Sequence, residues 1–134
     1  MDDEATELVI ALAKHVIGYM QATFPGWTDA YVRFDAPSDS QYGVRASYTT
    51  ASGIELVPAT EHRELVAGIM RIGPQLRDAL ENNGKKFRVC LFRANAQFSY
   101  RMDYEWTDPT RWNITKLKGA SGLPEGLDAL APLD

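Results

Sequence analysis

Residues 98–106, FSYRMDYEW, alternate without a slip. Phe98, Tyr100, Met102, Tyr104 and Trp106 share one parity; Ser99, Arg101, Asp103 and Glu105 share the other. A period of two belongs to an extended strand whose successive side chains leave on opposite faces. The aromatic parity asks for a hydrophobic layer, and the charged parity asks for water or for another molecule. A chain carrying this segment therefore has to build a sheet.

The rest of the chain supplies it. In residues 27–36, WTDAYVRFDA, the side chains Ala30, Val32, Phe34 and Ala36 share one face, and Asp29, Tyr31, Arg33 and Asp35 share the other. Residues 41–50 alternate again, with Tyr42, Val44, Ala46 and Tyr48 on one side. Ser52-Gly53 predicts a hairpin turn into a short strand over 54–57, ended by Pro58. Residues 86–93, KFRVCLFR, are apolar on both parities, which predicts a central strand. A turn at 94–96 leads to the alternating strand over 97–106.

Two stretches read as helices. Over 4–23, Leu8 or Val9, Leu12, Val16, Met20 and Phe24 form one apolar stripe. Asp2, Asp3 and Glu4 suit the positive end of that helix, and Pro25-Gly26 stops it. Over 60–82 the stripe is Leu65, Ile69, Ile72, Leu76 and Leu80, with Thr60 as candidate cap and Asn82-Asn83-Gly84 as terminator. Pro74 is expected to kink or break this helix near Gly73. Asp108-Pro109 opens a short helical turn toward Lys116.

The order α-β-β-β-α-β-β, with short turns between consecutive strands, predicts an α+β fold. It consists of a mainly antiparallel five-stranded sheet with two helices packed on one face. The face opposite the helices is then expected to be open. Residues 1–118 form the domain, and residues 119–134, rich in Gly and Pro, form a strap or a loose end.

Charge bears on partners. The net charge is −4. Residues 1–59 carry eight acids and three bases, the remainder ten acids and eleven bases. Direct nucleic-acid binding is disfavoured, because neutralising phosphates needs a basic stripe. An acidic surface suits a basic protein partner, and equally serves solubility alone. The opening segment MDDEATELVIALAK begins with acids and is interrupted by Lys14 and His15. It reads as neither a secretory signal nor a membrane span, so a cytoplasmic location is expected.

Chemistry-bearing motifs are sparse. The lone Cys90 permits no internal disulfide or paired-cysteine zinc site, and it sits in an apolar strand where burial makes a poor nucleophile. His15 and His62 have no carboxylate or cysteine at ligand spacing. Asp103 and Glu105 share a strand face and could do acid–base work only in a cleft; a solvated sheet face is the simpler reading. Gly43, Gly53 and Gly84 are isolated, and no phosphate-binding or hydrolase motif occurs. No cofactor or metal is expected. Trp27, Trp106 and Trp112 lie at strand ends or just beyond, where they can anchor a partner or cap the rim of a core.

In three places the chain resembles the YezG-like immunity proteins of bacterial polymorphic toxin systems. An amino-terminal helix runs into FPGWTDAYVRFD; a long second helix, ELVAGIMRIGPQLRDALENNGKKF, follows short strands; and FSYRMDYEW closes the sheet, with Trp112 shortly after. The resemblance spans roughly residues 5–117 and departs from the family after Lys118. It implies an antitoxin without chemistry of its own, which binds one secreted toxin, often a nuclease, and blocks it in sibling cells. On this reading an acid-rich face mimics phosphate. The residues expected to meet the toxin are Asp29, Asp35, Asp39, Asp103, Glu105 and Asp108, framed by Tyr31, Tyr104 and Trp106. Two other readings stay open: a small-molecule site or enzyme with a pocket between helices and sheet, and an adaptor that self-associates through its aromatic sheet face. Oligomeric state is not legible.

Overall fold

The computed structural model describes residues 3–133, so Asp2 lies outside the described residues. The elements are α1 (Asp3–Thr23), β1 (Asp29–Ser38), β2 (Gln41–Thr50), β3 (Gly53–Leu56), α2 (Arg63–Ala79), β4 (Val89–Asn95) and β5 (Tyr100–Glu105). Short 3-10 turns follow at Leu117–Gly119 and Leu127–Ala129. The five strands form one sheet in the order β3-β2-β1-β4-β5, and every neighbouring pair is antiparallel. This is the expected α+β class and element order. Among the described residues no helix is long and apolar enough to cross a membrane.

The even-numbered side chains of the central strands build the main core. Ala30, Val32 and Phe34 of β1 and Cys90, Phe92 and Ala94 of β4 pack with Leu12, Val16 and Met20 of α1 and with Leu65, Ile69, Ile72 and Leu76 of α2. Both helices therefore bury their stripe on one face of the sheet, as a two-layer architecture requires.

Pro74 does not break α2, which runs as one helix from Arg63 to Ala79. The preceding Gly73 explains why the helix passes so close to the sheet: a Cβ there would stand 2.6 Å from the ring of Phe34. His62, not Thr60, occupies the N-cap position, and its side chain makes no capping bond.

Strand ends shift for local reasons. β1 continues through Pro37 to Ser38, and its pairing with β2 becomes irregular between Asp35 and Ser38, where a proline lacking an N–H is tolerated. β5 begins at Tyr100 rather than 97. Asn95 Oδ1 accepts from the backbone N–H of Gln97 and Ser99 (3.0 and 3.1 Å), which winds residues 95–99 into a turn with Phe98 at φ 70°.

The second face of the sheet is not open as expected. Val89 and Leu91 point to that side and are fully buried there against Trp112, with Leu127 and Leu130 packed alongside. The doubly apolar β4 demands such a cover, because its odd-parity residues would otherwise face water. The carboxy-terminal strap is thus packed on the sheet, not loose.

Candidate functional site

Strand register fixes where the expected site residues fall. Asp35 of β1, Val89 of β4 and Glu105 of β5 form one row across the sheet; Arg33, Leu91 and Asp103 form the next; Tyr31, Arg93 and Arg101 the next; Asp29 and Asn95 the last. All point to the second face. Tyr104 and Trp106 have the opposite parity. Their rings meet Phe87 on the helix side, at 5.3 and 6.3 Å between centroids. The acids of β5 and the rings of β5 therefore cannot frame one surface, and only Tyr31 shares the acidic face.

That face is acid-rich in sequence but largely neutralised in three dimensions. Two arginines are buried in it, Arg33 and Arg93, each only 4% exposed. A buried guanidinium has to be paired. Arg33 donates from Nε to the carbonyl of Arg111 (2.8 Å) and from Nη2 to that of Pro109 (2.7 Å), and its Nη1 lies 3.4 Å from Asp35. Burial pushes the Arg33 guanidinium below its ordinary pKa. Arg93 Nη2 donates to Asp103 Oδ2 at 3.1 Å.

Glu105 is fixed as firmly. Arg111 Nη1 donates to one oxygen at 2.7 Å, and the N–H groups of Thr107 and Asp108 and the hydroxyl of Thr107 donate to the other. The Arg111 bond first, then the two backbone donors, pull its carboxyl down to about 2. The pairing residues Arg33, Arg93 and Arg111 were not among those expected at the site. A signal for two of them existed: Arg33 and Arg93 share the odd parity of the acids around them, and a basic residue on a face partly sealed from water needs a carboxylate within reach.

What remains accessible gathers at one end of the sheet, beyond the row of Asp35 and Glu105. Asp39, at the β1–β2 turn, keeps an exposed carboxylate that accepts from the buried Arg77 Nη2 at 3.0 Å. That bond and the Arg77 charge lower its pKa. Asp108 is exposed and caps the following turn through the hydroxyl and N–H of Thr110, which likewise lower its pKa. Trp106 is 38% exposed. With Thr107, Lys86 and Arg88, the Asp39 and Trp106 side chains line a shallow cleft of about 400 Å³. At the far end, Asp29 accepts from Thr49 Oγ1 at 3.2 Å, and burial raises the Tyr31 phenol.

Comparison with the models of known families finds no match for this chain, and none of the curated proteins matches it.

The remaining candidates for chemistry have structural duties. His15 Nε2 bonds the carbonyl of Leu65 at 2.9 Å, and His62 Nδ1 meets the hydroxyl of Tyr19 at 2.7 Å. Cys90 is buried, and desolvation pushes its thiol up to about 12. Among the described residues no three of His, Cys, Asp and Glu gather as a metal site. The helix–sheet interface is where the buried side chains of the main core pack. A cleft of about 630 Å³ lies on the second face, between Arg33, Arg45, Leu56, Pro58 and Ile114.

Proposed function

We propose that this chain is an immunity protein, which neutralises a cognate bacterial toxin of the nuclease class by covering its substrate-binding surface. The observation that supports this reading is the way the titratable groups are used. Each histidine and the cysteine is engaged in packing, and Asp35, Asp103 and Glu105 of the sheet are anchored by arginines. Such a surface is rigid before it meets anything, and preorganisation is what a tight protein inhibitor needs.

Contact with a basic toxin falls to the accessible end of the sheet, with Asp39 and Asp108 as the anionic groups and Trp106 as the aromatic anchor. Asp35, Asp103 and Glu105 act behind them, holding the strands and the 107–111 loop in place. The YezG-like organisation of the sequence points the same way.

The test is direct. The tagged chain is mixed with the purified product of the reading frame adjacent to its gene, and nuclease activity and complex formation are measured. A stoichiometric, inhibited complex that weakens about tenfold or more on Asp39→Ala or Trp106→Ala supports the reading. Absence of both binding and inhibition, with the chain folded, overturns it.

A further inference from the structure

β5 is an edge strand: among the described residues, β4 is its only neighbour in the sheet. Which of its backbone groups face outward follows from two bonds. The N–H of Asn95 donates to the carbonyl of Ser99 (3.0 Å), and that of Arg88 donates to the carbonyl of Glu105 (2.7 Å). Both acceptors are odd-numbered residues whose backbone points into the sheet. Direction alternates along an antiparallel strand, so the N–H and C=O of Tyr100, Met102 and Tyr104 point away from it.

This edge is uninterrupted, and its central charges, Arg101 and Asp103, are of opposite sign. It contains no proline, and its register with β4 runs unbroken from Val89 opposite Glu105 to Ala94 opposite Tyr100. Phe98 and Tyr100 beside it are 57% and 41% exposed. An uninterrupted edge of this kind is a template for another strand.

The sequence of the edge selects the strand. Reversed about Met102, it complements itself: Arg101 falls opposite Asp103, Tyr100 opposite Tyr104, and Met102 opposite Met102. The outward backbone groups then meet in pairs, with those of Met102 on the two-fold axis. Sliding the pairing by two residues sets Arg101 against Arg101 or Asp103 against Asp103. Sliding it by one sets rings against charges. Only the first register satisfies both faces. Asp103 holds Arg93 through Oδ2 at 3.1 Å, which leaves its Oδ1 only loosely placed against Arg101 at 3.9 Å, and the Arg101 side chain is half exposed, so that oxygen and that guanidinium can serve the pairing.

We infer that the protein forms a two-fold symmetric dimer in which β5 pairs antiparallel with β5 of a second copy about Met102, making one continuous sheet. The contact is isologous, so it closes at two copies. The inference rests on the edge alone and stands apart from the toxin reading.

Light scattering of the full chain over a concentration series, combined with amide hydrogen exchange, tests it. A dimer is expected, with the Met102 amide slowed as concentration rises. Arg101→Asp opposes two like charges and is expected to weaken the dimer about tenfold or more. Met102→Pro removes an outward N–H while sparing the β4–β5 bonds, and is expected to give a folded monomer by near-ultraviolet circular dichroism. If that variant does not fold, Arg101→Asp decides. A monomer at every concentration overturns the inference. So does a dimer that Arg101→Asp leaves intact, or one in which the Met102 amide exchanges as fast as in dilute protein.

Discussion

The imidazole of His15 on α1 fills the notch that Gly68 leaves on α2, and its Nε2 donates to the carbonyl of Leu65, one turn earlier, at 2.9 Å. With a carbonyl as the acceptor, Nε2 must carry the proton. A Cβ at position 68 would collide with three atoms of the ring. Gly68→Ala is therefore expected to destabilise the fold by about 1–3 kcal/mol through overpacking, although alanine is intrinsically the better helix former. Removing the ring should relieve the clash. In urea unfolding, His15→Ala with Gly68→Ala is expected to lose less than the two single changes together, by about 1 kcal/mol. Strict additivity would mean that the ring moves aside freely.

Glu105 gives a pH prediction. Its carboxyl is pulled from 4.5 to about 2 by Arg111 and by the backbone N–H groups of Thr107 and Asp108. The folded-state pKa is depressed, so the stabilisation is present above the unfolded value and is lost as pH falls through the range from about 4.5 to about 2. Arg111 is itself 45% exposed, and solvent screening holds the net contribution to about 1 kcal/mol. Glu105→Gln is expected to be less stable than the parent at pH 7 and to match it once both are at the acid end. A gap that persists unchanged at low pH would assign the role of Glu105 to packing.

The sheet was legible because alternation survives in β1, β2 and β5 while β4 is apolar on both parities, and the helices because each has a single stripe ending at Gly or Pro. The fate of the second face was harder to read. Val89 and Leu91 announced that β4 is covered twice, yet the cover is Trp112 with Leu127 and Leu130, in a segment whose glycines and prolines hide any period. Pro74 misled for another reason: a helix already held by Leu65, Ile69, Ile72 and Leu76 tolerates one missing N–H. The candidate site was visible as residue types but not as a surface. Asp35 has its arginine, Arg33, two residues back on the same strand face, but Asp103 and Glu105 look like free acids until strand register and the 107–111 loop bring Arg93 and Arg111 to them. Pairing across strands is a property of register, which no local pattern states.

Trp112 is where the strap is fastened. It adopts φ 60°, is almost fully buried, and seals Val89 and Leu91 from the second face. Trp112→Ala is expected to cost about 3–5 kcal/mol, the usual loss for a buried large aromatic. Limited proteolysis should then cut within residues 113–133 before the sheet unfolds. Resistance of that segment equal to the parent's would show that Leu127 and Leu130 hold it without the ring.

Cys90 separates local opening from global unfolding. Its side chain has the even parity of β4 and lies under the helices, while Trp112 lies on the other face. Burial pushes the thiol up to about 12, so it is neutral and shielded at ordinary pH. A thiol-specific reagent should label it only when the main core opens, with a rate that follows global unfolding across a urea series. Trp112→Ala should speed labelling only as far as it lowers global stability, because releasing the strap uncovers Val89 and Leu91 but not the sulfur. Labelling of the variant that outruns its measured unfolding would mean that the two faces open together, and that the strap supports the helical layer through the sheet.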